Sequence, residues 1–161
     1  MASTALEDRT DTGSVRPPVE EIARRARLAG RRLAAVDTAT KDAALHAIAD
    51  ALLEREAEIL EANALDLEAG RASGLDAALM DRLALDGGRL AGIAQQARDV
   101  AALHDPVGET IEGHRLPNGL DVQRQRIPLG VVAVVYEARP NVTIDSTTLA
   151  LKSGNAVILR G

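Results

Sequence analysis

The chain has 161 residues, 46% of them apolar, a net charge of -5 and no cysteine. That length suits one domain with a sizeable core, no run nears the roughly 18 apolar residues of a membrane span, and interspersed charges argue against a nucleic-acid footprint. Zero Cys excludes disulfides, thiolate metal sites and a cysteine nucleophile within these residues.

Residues 1 to 15 have no apolar core of a signal peptide and carry Glu7, Asp8 and Asp11, so they read as a disordered leader of a cytoplasmic protein. Pro17 and Pro18 then open a helix to about Val36, with Val19, Ile22, Ala26 and Leu33 at helical spacing. Thr38 or Thr40 caps a second, long amphipathic helix through Leu45, Ile48, Leu52, Ile59 and Leu60 to about Ala69. A short helix over Ala77 to Leu83 follows. Asp86 caps another, with Leu90, Ile93, Ala94, Ala97 and Val100 on one face, and Gly87-Gly88 reads as a turn.

Pro106 and Gly108 end this helical part. Thr110 to Leu116 and Leu120 to Ile127 read as a polar hairpin closed by Pro117-Asn118-Gly119, which would be exposed or would pair outside the chain. Val131 to Val135 is an unbroken apolar run that looks like a strand buried on both faces. Thr143 to Leu151 form a helix ended by Ser153-Gly154-Asn155, and Ala156 to Leu159 a second buried strand. The fold class is therefore α/β, ending on a βαβ unit whose parallel sheet has no further strand after Gly161. The organisation expected is a leader (1–15), a helical layer (16–105), a hairpin (106–127) and the start of an α/β domain (128–161), incomplete at its C-terminus.

Open α/β sheets place ligands at the carboxyl ends of their strands, which is where Tyr136-Glu137-Ala138-Arg139-Pro140-Asn141 falls. Asn141 reads either as a helix cap or as a donor to an oxyanion in acyl transfer. Glu137 and Arg139 read as a structural ion network or as ligand contacts. Arg160 ends the second strand and can meet a phosphate or ribose, whereas Lys152 complements a helix dipole. His46, His104 and His114 have no metal-ligand spacing, and neither GxGxxG nor a Walker A sequence is present.

The combination PLGVVAVVYEARPN and LKSGNAVILRG resembles the gamma-glutamyl phosphate reductases, or glutamate-5-semialdehyde dehydrogenases, a branch of the aldehyde dehydrogenase superfamily. The resemblance extends upstream through KDAALHAIADALLER, EANALDLEAGR, MDRLALD and LPNGL, from about Val19 onward. It implies a Rossmann-type NADP-binding domain beside the helices, an oligomerising extension containing the hairpin, and a catalytic domain beyond these residues. It also implies reduction of L-glutamyl 5-phosphate by NADPH to L-glutamate 5-semialdehyde in proline biosynthesis, in a homo-oligomer coupled to glutamate 5-kinase. Asn141 matches the superfamily's oxyanion-hole Asn. Glu137, Ala138, Arg139 and Pro140 match the segment lining the cofactor cleft, with Arg-Pro-Asn where the superfamily at large has Pro-Trp-Asn. Arg160 falls where a Lys commonly touches the adenosine ribose. The family's nucleophile is a Cys, which this stretch lacks, so the expectation is the N-terminal part of a longer reductase. The alternatives are a truncated, inactive paralogue that binds a nucleotide or a partner, and a purely helical interaction domain.

Overall fold

The computed structural model describes residues 17–137 and 139–161, so the expected leader lies outside the described residues. Helix α1 (Val19–Leu33) starts at Pro18, with Glu20 and Glu21 in its first turn and Arg31 and Arg32 in its last, each sign facing the favourable end of the helix dipole. It stops short of Val36 because the amides of Ala35 and Val36 bond back only three residues, to Arg32 and Leu33, in a tight closing turn.

The single long helix expected next is two helices, α2 (Thr38–Glu54) and α3 (Glu56–Ala72). Arg55 leaves helical geometry at φ -103° and ψ 21°. No Gly or Pro marks this break; Glu56 and Glu58 instead give α3 an acidic first turn, and Arg55 grips Glu58 through two bonds of 2.9 and 2.6 Å. The cap of α2 is Asp37, not Thr38 or Thr40: its carboxylate accepts from the Thr40 amide at 2.7 Å. Asp76 and Asp86 cap α4 (Ala77–Leu83) and α5 (Gly87–Ala102) in the same way. Gly87 and Gly88 are therefore the first turn of a helix, not a separate turn.

The core lies between α2 and α5. Leu45 and Ala49 meet the buried face of α5, formed by Leu90, Ile93, Ala94, Ala97 and Ala101, and the last helix adds Ile144. Small residues at 49, 94 and 97 let the backbones approach closely. Asn63 fastens α3 to the link between α4 and α5, donating to the Leu83 carbonyl at 2.9 Å and accepting from the Leu85 amide at 2.8 Å.

Strands β1 (Thr110–Arg115) and β2 (Asp121–Gln125) form the expected antiparallel hairpin, exposed along its whole length. The Gly119 amide bonds to the Leu116 carbonyl across Pro117 and Asn118, and Gly119 itself has φ +87°. Strands β3 (Val131–Val135) and β4 (Ala156–Arg160) run parallel, with Val131 opposite Ala156 and Val135 opposite Arg160. Helix α6 (Pro140–Lys152) crosses between them. The expectation that β3 is buried on both faces is wrong: Val132 and Val134 are half-buried, but Ala133 is exposed and Val135 is 81% exposed. Alternation places Ala133 and Val135 on the face away from α6, where α1 covers only the strand beginnings. Its contact is close: a Cβ on Gly30 would lie 2.5 Å from the Gly130 carbonyl oxygen.

Two buried lysines join these parts. Lys41 of α2 pairs with Asp105, which follows α5, and Thr38 also donates to Asp105 at 2.7 Å. Lys152, at the end of α6, donates to Asp42 of α2 at 2.5 Å and to the Ala101 carbonyl of α5 at 2.8 Å. Only 2% of Lys41 and 3% of Lys152 is exposed, so each cation depends on its partners in place of water.

Burial of Asp105 opposes ionisation, but donors from Lys41, the Val107 amide and Thr38 outweigh it and hold the carboxyl down from 3.8 to about 2. A lowered folded value contributes stability that is complete above the unfolded value of 3.8 and is lost as pH falls through about 2. Asp105→Asn should abolish this component, worth about 2 kcal/mol, and flatten the acid limb of a urea-denaturation series taken from pH 5 to 2. Gly30→Ala should lower the melting temperature, because backbone rather than a flexible side chain must yield; an unchanged midpoint would mean that α1 does not bear on Gly130.

Candidate functional site

The end of β3 and the start of α6 are locked together before any side chain reaches a ligand. The Tyr136 amide donates to the Arg160 carbonyl at 3.0 Å, extending the parallel pair by one residue. The Tyr136 hydroxyl lies 2.6 Å from Thr143 Oγ1 on the first turn of α6. Arg139 is extended at φ -126° and ψ 108°, as a residue before proline must be, and Pro140 fills the first helical position, where a missing N–H costs nothing.

Helix α6 thus begins at Pro140, three residues before the expected Thr143. Asn141 is the second residue of the helix rather than its cap, a place held by Arg139 without a side-chain bond. The half-buried Asn141 carboxamide instead donates from Nδ2 to Asp145 Oδ2 at 3.3 Å. It faces a cavity of about 250 Å³ shared with Arg82, Arg89, Gly92, Gln96 and Pro140. Arg89 in that wall is already engaged by Asp81 at 2.6 Å and by the Ala84 carbonyl at 2.9 Å.

Glu137 is exposed and stands between two cations, Arg139 at 3.4 Å and Arg82 at 3.9 Å. Exposed pairs at such distances contribute little stability, which leaves both guanidinium groups able to exchange partners. Ala138 lies outside the described residues. Arg160 is exposed at the end of β4 and has no carboxylate partner among the described residues; its nearest acceptor is the Gly161 carbonyl at 3.4 Å. It shares the carboxyl edge of the sheet with Tyr136 but does not line the cavity at Asn141. His46, His104 and His114 are exposed, and no helix is long and apolar enough to cross a membrane among the described residues.

No family model matches the sequence. Solved structures do match: gamma-glutamyl phosphate reductase of Thermotoga maritima superposes with a TM-score of 0.87 at 43% identity, over 90% of this chain and 35% of that one. The enzyme of the same name from Saccharomyces cerevisiae superposes with a TM-score of 0.85 at 37% identity, over 90% of this chain and 37% of that one. The chain is a homologue of the gamma-glutamyl phosphate reductases. It spans about a third of the length of these reductases and matches their N-terminal part.

Sequence reasoning placed Asn141 correctly at the carboxyl edge and missed the residues that face it there. Arg82 and Gln96 come from α4 and α5, more than 40 positions upstream, and nothing in local pattern joins them to Asn141. Asp145 was within reach, since residues four apart share a helix face. Tyr136→Phe should lower stability by about 1 kcal/mol through loss of one hydrogen bond. Thr143→Val should do the same, and the double variant should cost less than the sum; full additivity in chemical denaturation would dissolve the pair.

Proposed function

We propose that these residues are the N-terminal part of an NADPH-dependent reductase that converts L-glutamyl 5-phosphate to L-glutamate 5-semialdehyde and phosphate, with turnover belonging to a longer protein. The observation that carries this reading is the 43% identity maintained over 90% of the chain with the Thermotoga maritima reductase. The position of Asn141 supports the finer assignment. Asn141 lines a cavity between the start of α6 and the α4–α5 pair, and its carboxamide is not consumed as a helix cap.

In this reading a thioester forms on a Cys outside the present residues, and Asn141 Nδ2 donates to the acyl oxygen as negative charge develops there. Arg82, which lines the cavity beside Asn141 and is held only loosely by Glu137, suits an anionic substrate. Glu137, Arg139 and Pro140 are assigned to the cofactor cleft by their match to the family's segment, as is Ala138, which lies outside the described residues. Arg160, exposed and without a carboxylate partner among the described residues, fits a phosphate or ribose of NADPH. When bound, NADPH supplies the hydride for thioester reduction. The exposed hairpin β1–β2 fits the expected oligomerising extension, and the protein is assigned to the cytoplasm with glutamate 5-kinase as a functional neighbour.

A second reading, a non-catalytic nucleotide- or partner-binding module, draws on the lack of Cys only if the natural chain ends at Gly161. Intact-mass measurement of the natural protein separates the two: a species far heavier than 16.9 kDa supports the reductase, and one at that mass supports the module. The 161-residue chain alone should show no NADP-dependent turnover with glutamate semialdehyde and phosphate. In the longer reductase, Asn141→Ala should lower kcat about 100-fold or more. Arg160→Ala should raise the KM for NADPH with little change in kcat; the reverse pattern would remove it from the cofactor site.

A further inference from the structure

An oxyanion donor must be aimed before the charge appears, and an Asn side chain at a helix start is free to turn its amide end for end. Here that freedom is removed by one neighbour. A carboxylate only accepts hydrogen bonds, so the end of Asn141 that meets Asp145 Oδ2, at 3.3 Å, has to be its NH2 group. A half-turn would bring two oxygens together. With one N–H of Nδ2 given to Asp145, the second N–H of the same planar nitrogen remains to donate into the cavity that Asn141 lines.

The helix backbone beneath Asp145 is braced by the buried Thr148 hydroxyl, which shares its hydrogen between the main-chain carbonyls of Ile144 and Asp145 at 2.9 and 3.1 Å. One turn further on, Lys152 anchors α6 to Asp42 and to the Ala101 carbonyl. Asn141, Asp145, Thr148 and Lys152 are spaced by four, three and four residues, a polar stripe along one helix face. The stripe runs from a buried cation that fixes the helix to an amide that lines a cavity.

We propose that Asp145 is a positioning residue that acts through Asn141, fixing its carboxamide with the NH2 group toward the reacting acyl oxygen. This rests on the reductase reading above. What the role requires is a neighbour that only accepts: Asp145→Asn offers an NH2 as well as an oxygen, lets the Asn141 amide settle either way round and should weaken the function, and Asp145→Leu should remove the contact altogether.

The test has two parts. In the 161-residue chain, side-chain amide NMR should give Asn141 two strongly inequivalent NH2 protons and a single rotamer. Asp145→Asn should admit a second orientation of Asn141, and Asp145→Leu should move the pattern to the averaged values of a free Asn. An averaged Asn141 in the unmodified chain, or an unchanged one in Asp145→Leu, would overturn the proposal. In the longer reductase, Asp145→Leu should lower kcat on the order of 10- to 100-fold with the KM for NADPH unchanged, Asp145→Asn should lower it less, by roughly 3- to 10-fold, and Asp145→Leu should add nothing to Asn141→Ala. Multiplying losses in that double variant would overturn it as well. If the longer protein turns over no glutamyl phosphate, the reductase reading falls, while the NMR result still decides whether Asp145 orients Asn141.

Discussion

Lysine at the centre of a helical core is costly unless every donor is satisfied, and this fold is arranged around satisfying two of them. Lys41 and Lys152 lie where α2, α5 and α6 converge, and their partners come from two separate segments of the chain: Asp42 of α2, and the Ala101 carbonyl and Asp105 at and just past the end of α5. Hydrophobic contact among Ala49, Ala94, Ala97 and Ile144 brings these helices together. It does not fix how far one slides along another. The lysines do, since a displacement of even one residue would strand a buried charge.

That fixed register is what makes the carboxyl edge of β3 and β4 usable as a site. Helix α6 is held at its far end by Lys152 and at its near end by the Tyr136 hydroxyl against Thr143. Pro140 sets the angle at which the chain enters the helix. Between those restraints, Asn141 opens toward α4 and α5.

Much of the fold was legible because its signals are local. The aspartate cap at Asp86, the Asn118-Gly119 hairpin turn and the βαβ unit all follow from residues within a few positions of one another. The misreadings arose where distant packing decides. Arg55 breaks a helix although nothing in its own sequence forbids continuation, and α3 leaves in a direction set by α4 and the Asn63 bonds. Val135 belongs to an apolar run but is exposed, because composition records that a strand is apolar and not which of its faces is covered. For the site, chain position singled out Asn141. The cap reading failed because Pro140 draws the helix start forward by three residues, and Arg82 and Gln96 carried no local sign at all.

The lysine partnerships also impose an order on how the chain is made. Lys152 and Asp42 are 110 residues apart, so their contact closes a long loop, late and against considerable chain entropy. During synthesis from the N-terminus, α2 and α5 emerge with Asp42 and the Ala101 carbonyl still waiting for a cation near the end of these residues. The helical layer gains this second buried cation only at the end of these residues. It is completed only when the βαβ segment arrives, and the segment that bears the candidate site is also the one that finishes the core.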